Sequence, residues 1–193
     1  MICGLVLASG FSRRMPVNKL IEKVAGISLI EHVVKASTVL EKVYVITQYQ
    51  AVEDKLTKYP CQLIYNDHPE RGMSESIKIG VEKADMCMGY MIFLGDQPSL
   101  SKETVSKIKE EANKYPDNIV IPFYRNGKGH PIYLPFAFKD KLLGLHGDLG
   151  AREIIKENSH LIRKLLIDEV TSDIDTIENL EEFRHNKRPC LQK

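Results

Sequence analysis

Apolar and polar positions fall into short blocks along this chain. Residues 2–7 (Ile-Cys-Gly-Leu-Val-Leu) are unbroken in apolar character, the pattern of a strand buried on both faces. From Ser28 to Thr38 the apolar residues recur at helical spacing, and Ser28 is placed to cap that helix. Val43–Thr47 and Cys61–Tyr65 read as strands, with a helix over Gln50–Lys58 between them, ended near Pro60. Ser74–Asp85 carries Ile77, Val81 and Ala84 on one side and charges elsewhere, which predicts a helix. Tyr90–Leu94 is an apolar strand bounded by Gly89 and Gly95, followed by a helix over Lys102–Asn113 and a strand over Asn118–Pro122.

The second half is less regular. His130–Leu134 and Leu161–Leu166 read as strands, and Pro135–Leu143, Gly150–Glu157 and Thr176–Arg184 as helices. Repeated strand–helix alternation predicts an α/β fold, a mostly parallel central sheet with helices on both faces. No linker or low-complexity tract divides the chain, so residues 1–193 are expected to form a single domain.

Composition narrows the partners. A length of 193 residues with 43% hydrophobic content suits one sizeable core. The formal charge of +1, from 27 basic and 26 acidic residues, gives no support for nucleic-acid binding. The four cysteines show no CxxC pair or nearby histidine cluster; Cys3, Cys61 and Cys87 sit in apolar stretches and read as inert buried thiols. No targeting leader opens the chain, and no apolar run approaches the ~18 residues of a membrane span. The expected compartment is the cytoplasm, with no membrane partner.

Ligands of open α/β sheets bind beyond the carboxyl ends of the strands. Three polar segments fall at such places. Ala8–Lys19 follows the first strand. There Gly10 permits a tight turn, Arg13 and Arg14 can clamp phosphates, and Lys19 can neutralise a departing diphosphate. It is neither a Walker A loop nor a GxGxxG fingerprint. The second segment, Asn66–Ser76, leads into a helix that Ser74 is placed to cap; Ser74 and Ser76 can bond a base or ribose. The third, Gly95-Asp96-Gln97-Pro98, leaves a carboxylate at the end of a buried strand, as an Mg²⁺ ligand or as a turn aspartate bonding its own backbone.

Asp173 and Asp175 are further carboxylates that either join Asp96 at a metal or cap the helix near Thr176. Gly127–Pro131 and His146–Arg152 are glycine-rich polar walls for a second substrate. His130 or His146 is available as a general base, but an ionised phosphate nucleophile needs none.

Together these segments resemble the nucleotidyltransferases of molybdenum-cofactor maturation, most closely their cytidylyltransferase branch. The matching pieces are Leu7–Met15 with Lys19-Leu20, Gly72–Ile77, Gly95–Pro98, Gly129-His130-Pro131, Gly147–Arg152 and Asp173–Thr176, in the family order. The resemblance implies a three-layer, Rossmann-like nucleotidyltransferase fold. It also implies Mg²⁺-dependent transfer of CMP from CTP to the terminal phosphate of molybdopterin or the molybdenum cofactor, with release of diphosphate. Carried over, Leu7, Ala8 and Gly10 lie against the base and ribose, Arg14 and Lys19 contact the triphosphate, and Asn66, Gly72 and Ser74 lie near the nucleoside. Asp96 binds Mg²⁺, with Asp175 or Asp173 as the second carboxylate, and His130 and Asp148 face the pterin. A recipient molybdoenzyme is an expected transient partner.

The chain departs from the family pattern in having Ser9 where a second alanine is common, and Ile177-Glu178-Asn179 where Pro-Glu-Asp usually follows the threonine. Guanylyl transfer, transfer to a sugar or polyol phosphate, and a non-catalytic accessory role for molybdenum hydroxylases are the competing readings.

Overall fold

The computed structural model describes residues 1–193 except 12–14, 16–17, 85, 149 and 187–193. In chain order its elements are β1 (Ile2–Ala8), β2 (Lys23–Val24), β3 (Ile27–Ser28), α1 (Leu29–Ser37), β4 (Lys42–Thr47) and α2 (Gln50–Leu56). Next come β5 (Gln62–Tyr65), α3 (Met73–Lys83), β6 (Gly89–Leu94), α4 (Lys102–Lys114), β7 (Ile119–Tyr124), β8 (Gly127–Lys128) and β9 (Ile132–Pro135). The chain closes with α5 (Lys139–Leu143), α6 (Arg152–Glu157), β10 (Ile162–Leu166) and α7 (Ile177–Asn186).

The main sheet runs β10-β7-β9-β6-β1-β4-β5, with β8 paired to β7. β1 is parallel to both β4 and β6, β4 to β5, and β7 to β10. β9 alone among these seven runs backwards, between β6 and β7. The sheet is thus mixed but mostly parallel. The reversal comes from a tight return through β8, which pairs antiparallel with β7, so the chain re-enters the sheet from the same edge.

All of β1 is buried because each face carries a layer. Ile2, Val6 and Ala8 pack with Val33, Val52 and Ile108 from α1, α2 and α4. Leu5 and Leu7 pack on the other face with Ile77, Val81, Leu142 and Ile154 from α3, α5 and α6. This is the alternation of successive side chains that any strand imposes. The result is a three-layer α/β fold, with a mostly parallel sheet between two helical layers.

A third, smaller cluster joins Met15, Val24 and Leu29 to Ile174, Leu180 and Phe183. It docks α7 against the β2–β3 hairpin. Arg184 adds bonds to Glu22 and to the Lys23 carbonyl. The C-terminal helix is thereby tied to the chain that leaves β1.

Local chemistry explains several boundaries. Glu31 accepts from both the backbone N–H and the hydroxyl of Ser28, and Lys58 pairs with it. Although burial opposes ionisation, these donors hold the Glu31 carboxyl down at about 2. Ser101 caps α4 by accepting from Thr104 N–H at 3.0 Å. The helix expected over Pro135–Leu143 divides instead into the end of β9, a single 3-10 turn over Phe136–Phe138, and α5.

The cysteines depart from the reading of inert buried thiols. Register places Cys3 opposite Tyr90 on the neighbouring strand, which brings the chain just before β6 within reach. Cys3 and Cys87 are joined by a disulfide with Cα atoms 5.8 Å apart. Cys61 is a free, half-buried thiol, and burial pushes its pKa up. Cys190 lies outside the described residues. Among the described residues, no helix is long and apolar enough to cross a membrane.

Candidate active site

At the carboxyl ends of β1 and β6 lies a cleft of about 470 Å³. This is within the range of small-molecule sites, at the place in an open sheet where strand order switches direction. One wall is the exit of β1, Leu7 to Phe11. Leu94 and Asp96 form the floor, and Gly72, Met73 and Ser76 at the start of α3 the far wall. Lys19, Asp148 and Asp175 also line it.

The β1 exit is held from outside. Gln48 donates to the Ser9 carbonyl at 2.7 Å, and the Tyr49 hydroxyl to the Gly10 carbonyl at 2.9 Å. Burial pushes the Tyr49 pKa up, so the phenol stays protonated and able to donate. Ser9 donates its own hydroxyl to the Ile46 carbonyl at 3.1 Å. The serine that replaces a common alanine therefore spends its extra polar group on β4.

Lys19 begins a single 3-10 turn capped by Asn18, whose side chain accepts from Leu20 N–H; Leu20 is buried and anchors the turn. The ammonium bonds Asp96 Oδ2 at 2.8 Å and Asp175 Oδ1 at 2.8 Å. Burial disfavours the charged amine, but the negative charge of Asp96 and bonds to both carboxylates outweigh it and hold the pKa above its ordinary value. Asp96 is delivered by Gly95, whose N–H extends the ladder to the Leu7 carbonyl at 3.0 Å. A Cβ on Gly95 would stand 3.0 Å from that same oxygen.

Asp175 arrives from the other end of the chain. Ile174 donates its N–H to the Asp96 carbonyl at 3.1 Å and buries its side chain beside α7. Thr176 accepts from Asn179 N–H, and the Asn179 side chain accepts from the Asp175 and Thr176 N–H groups. Helix capping thus falls to Thr176 and Asn179. Asp173 lies away from this cluster, bonded to the Gln97 amide at 2.5 Å. The paired oxygens that face one cation are those of Asp96 and Asp175. An all-oxygen pair sharing a small cation suits a hard divalent ion such as Mg²⁺.

The far wall differs from the sequence reading. Ser74 does not cap α3: the helix starts at Met73 and its N-cap is Gly72, at φ +86°. Ser74 is buried and donates its N–H to the Gly147 carbonyl at 3.1 Å. Asp148 accepts from Met73 N–H at 3.1 Å. Asn66 is also buried outside the cleft, with its amide donating to Ser76 and its Oδ1 accepting from His68 N–H.

His130 does not line the cleft, though Asp96 is close enough to act on it electrostatically. Burial, with Arg152 adding to it and Asp96 opposing, pushes the imidazole down to about 4. Arg14 lies outside the described residues. The sequence reading did not single out Phe11, Pro69, Met73 or Leu94 as lining residues. Apolar walls carry no spacing signal of their own.

Residues 4–162 match the family model of the MobA-like NTP transferase domain. Purine catabolism protein PucB of Bacillus subtilis is 29% identical over 195 residues, covering 94% of both chains. A probable molybdenum cofactor guanylyltransferase of Natranaerobius thermophilus is 26% identical, covering 81% of this chain and 78% of that one. Nicotine blue oxidoreductase of Paenarthrobacter nicotinovorans is 26% identical across 93% and 94%.

The crystal structure of Rv0371c from Mycobacterium tuberculosis superposes with a TM-score of 0.84 at 21% identity, covering 95% of this chain and 97% of that one. The same protein in complex with manganese gives 0.79 at 20% identity, covering 95% and 98%. The fold, the cleft at the carboxyl edge of the sheet and the family match have one conclusion: this chain belongs to the MobA-like NTP transferase family of nucleotidyltransferases.

Proposed function

We propose that the protein transfers CMP from CTP to the terminal phosphate of molybdopterin or its molybdenum-loaded form, releasing diphosphate, with Mg²⁺ as the divalent ion. The observation that carries this reading is the shared contact of Lys19 with Asp96 and Asp175 at the edge of a nucleotide-sized cleft. Asp96 and Asp175 would hold the ion, which supplies positive charge to the phosphates. The β1 exit receives the nucleoside against its backbone. Lys19 neutralises charge on the diphosphate as it leaves.

The acceptor's ionised phosphate oxygen forms a bond to the α-phosphorus as the bond to the bridging α–β oxygen breaks. That electron pair departs with the diphosphate. An ionised nucleophile needs no general base, which agrees with an imidazole at His130 kept neutral by its surroundings. The choice of CTP rests on Ala8-Ser9 with Asp96-Gln97-Pro98. The relative named as a guanylyltransferase favours GTP as the second reading.

The test is diphosphate release with Mg²⁺ and molybdenum-loaded molybdopterin, comparing CTP, GTP, ATP and UTP. Release with CTP alone is expected, and release with GTP alone moves the protein to guanylyl transfer. Asp96→Asn is expected to cost a hundredfold or more in turnover with the fold intact, about 3 kcal/mol of transition-state stabilisation.

A further inference from the structure

Two stretches of chain far apart in sequence are seamed together beside Asp96. Three hydrogen bonds join them, in opposite chain order. The Asp96 carbonyl accepts from Ile174 N–H at 3.1 Å, the Gln97 side-chain amide donates to Asp173 Oδ1 at 2.5 Å, and Ser99 Oγ accepts from Ser172 N–H at 3.2 Å. Asp175 is the residue that leaves this seam, and it meets the ammonium of Lys19 that also bonds Asp96.

The middle bond of the seam runs from side chain to side chain. Gln97 is only 4% exposed, and its backbone is bonded on both sides, its N–H to the Leu94 carbonyl and its carbonyl to Leu100 N–H. A buried amide donor needs an acceptor, and an ionised carboxylate makes the stronger, charge-assisted bond. Asp173 is exposed and has water as an alternative partner, so the bond restrains the segment more than it shelters the charge. Neither residue lines the cleft.

We propose that Gln97 and Asp173 are a positioning pair, whose bond sets the segment before α7 so that the Asp175 carboxylate faces that of Asp96 at the divalent ion. The pair acts through the backbone. Its role is the same whichever carboxylate oxygens the ion takes, and whatever else Asp175 bonds. The inference rests on the metal role proposed above for Asp96 and Asp175, and it gives Asp173 a task away from the ion.

The experiment measures Mn²⁺ binding in the presence of CTP, by the paramagnetic resonance signal of free Mn²⁺. Wild type is compared with Gln97→Leu, Asp173→Ala, the double variant and Asp173→Asn. Each of the first two is expected to weaken Mn²⁺ binding about tenfold, and the double variant no further, because both remove the same bond. Asp173→Asn keeps an acceptor oxygen for Gln97 and is expected within about threefold of wild type. CTP binding in chelator is expected to stay unchanged in all four. Wild-type Mn²⁺ affinity in the single variants overturns the proposal, as does a double variant weakened by the product of the two single effects. So does Asp173→Asn as weak as Asp173→Ala, which would make the carboxylate itself a ligand of the ion. Should Gln97→Leu misfold, the two substitutions at the exposed Asp173 carry the test.

Amide exchange at Ile174 separates this inference from the reading beneath it. Faster exchange there in Gln97→Leu and Asp173→Ala, with β6 unchanged, is expected. If wild type binds no Mn²⁺ with CTP, the metal reading fails, and that faster exchange still identifies the pair as what holds the segment. Unchanged exchange at Ile174 overturns the pair.

Discussion

Asp148 accepts a hydrogen bond from the backbone N–H of Met73 at 3.1 Å, across 75 residues of chain. A carboxylate from a distant loop thus satisfies the first turn of α3, a task usually done by the residue before the helix. Gly72 makes the approach possible. A Cβ there would run into Asp148 Oδ1 and come within 2.7 Å of the Gly147 carbonyl carbon, and φ is +86°. Asp148→Ala is expected to cost about 1 kcal/mol in urea unfolding. Gly72→Ala is expected to cost more, about 1–3 kcal/mol, because strain and collision combine. Equal stabilities for Gly72→Ala and wild type would show that this wall does not need the close approach.

The Tyr49 hydroxyl holds the Gly10 carbonyl without lining the cleft. Tyr49→Phe removes one neutral hydrogen bond, worth about 1 kcal/mol. The expected outcome is a rise of roughly fivefold in KM for the nucleotide with kcat nearly unchanged, since the loop is loosened before the transition state. A fall in kcat at constant KM would assign the tyrosine a different task.

Phe183 anchors α7 in the cluster with Val24 and Ile174. Phe183→Ala leaves a cavity costing about 3–5 kcal/mol where the helix cannot collapse onto it. Because Ile174 and Asp175 precede that helix, activity is expected to fall more than tenfold. Amide exchange in β1 and β6 should stay slow. Loss of protection throughout the sheet would show that α7 supports the whole fold rather than one corner of the site.

His130 offers a pH test. Its folded pKa of about 4 lies below the ordinary histidine value of 6.5, with burial as the leading cause. A depressed value means that the folded state binds the proton less well than the unfolded chain. The stability that His130 contributes is present above pH 6.5 and is lost as pH falls through 4. His130→Gln should flatten the stability profile over that window. Imidazole NMR titration reads the group directly, and a value at or above 6 would sink the assignment.

The strands of the parallel half were legible because burial on both faces leaves an unbroken apolar run, as in Ile2–Leu7. The β2–β3 hairpin was not. Its strands are two residues each, and its turn places Ala25 and Gly26 at positive φ without the usual Asn-Gly signal. The direction of β9 was also hidden, since the apolar pattern of Ile132–Pro135 is the same whichever way the strand runs. Within the site, Lys19, Asp96 and Asp175 could be named from motif order. That Asp175 rather than Asp173 would meet Lys19 depends on the Gln97 amide taking Asp173, a tertiary fact with no local spacing. The Asp148–Met73 bond was hidden for the same reason.

Because β9 runs against its neighbours, the segment entering it, residues 129–131, emerges at the same edge of the sheet as the segments leaving β6 and β7. The turn between β7 and β9 is therefore a piece of rim that can lengthen or shorten without adding a crossover helix. Insertions there would change that stretch of the sheet's rim while the β1 exit, across β6, kept its register. A fold with this arrangement can vary one part of its rim and leave the strand that opens the cleft as inherited.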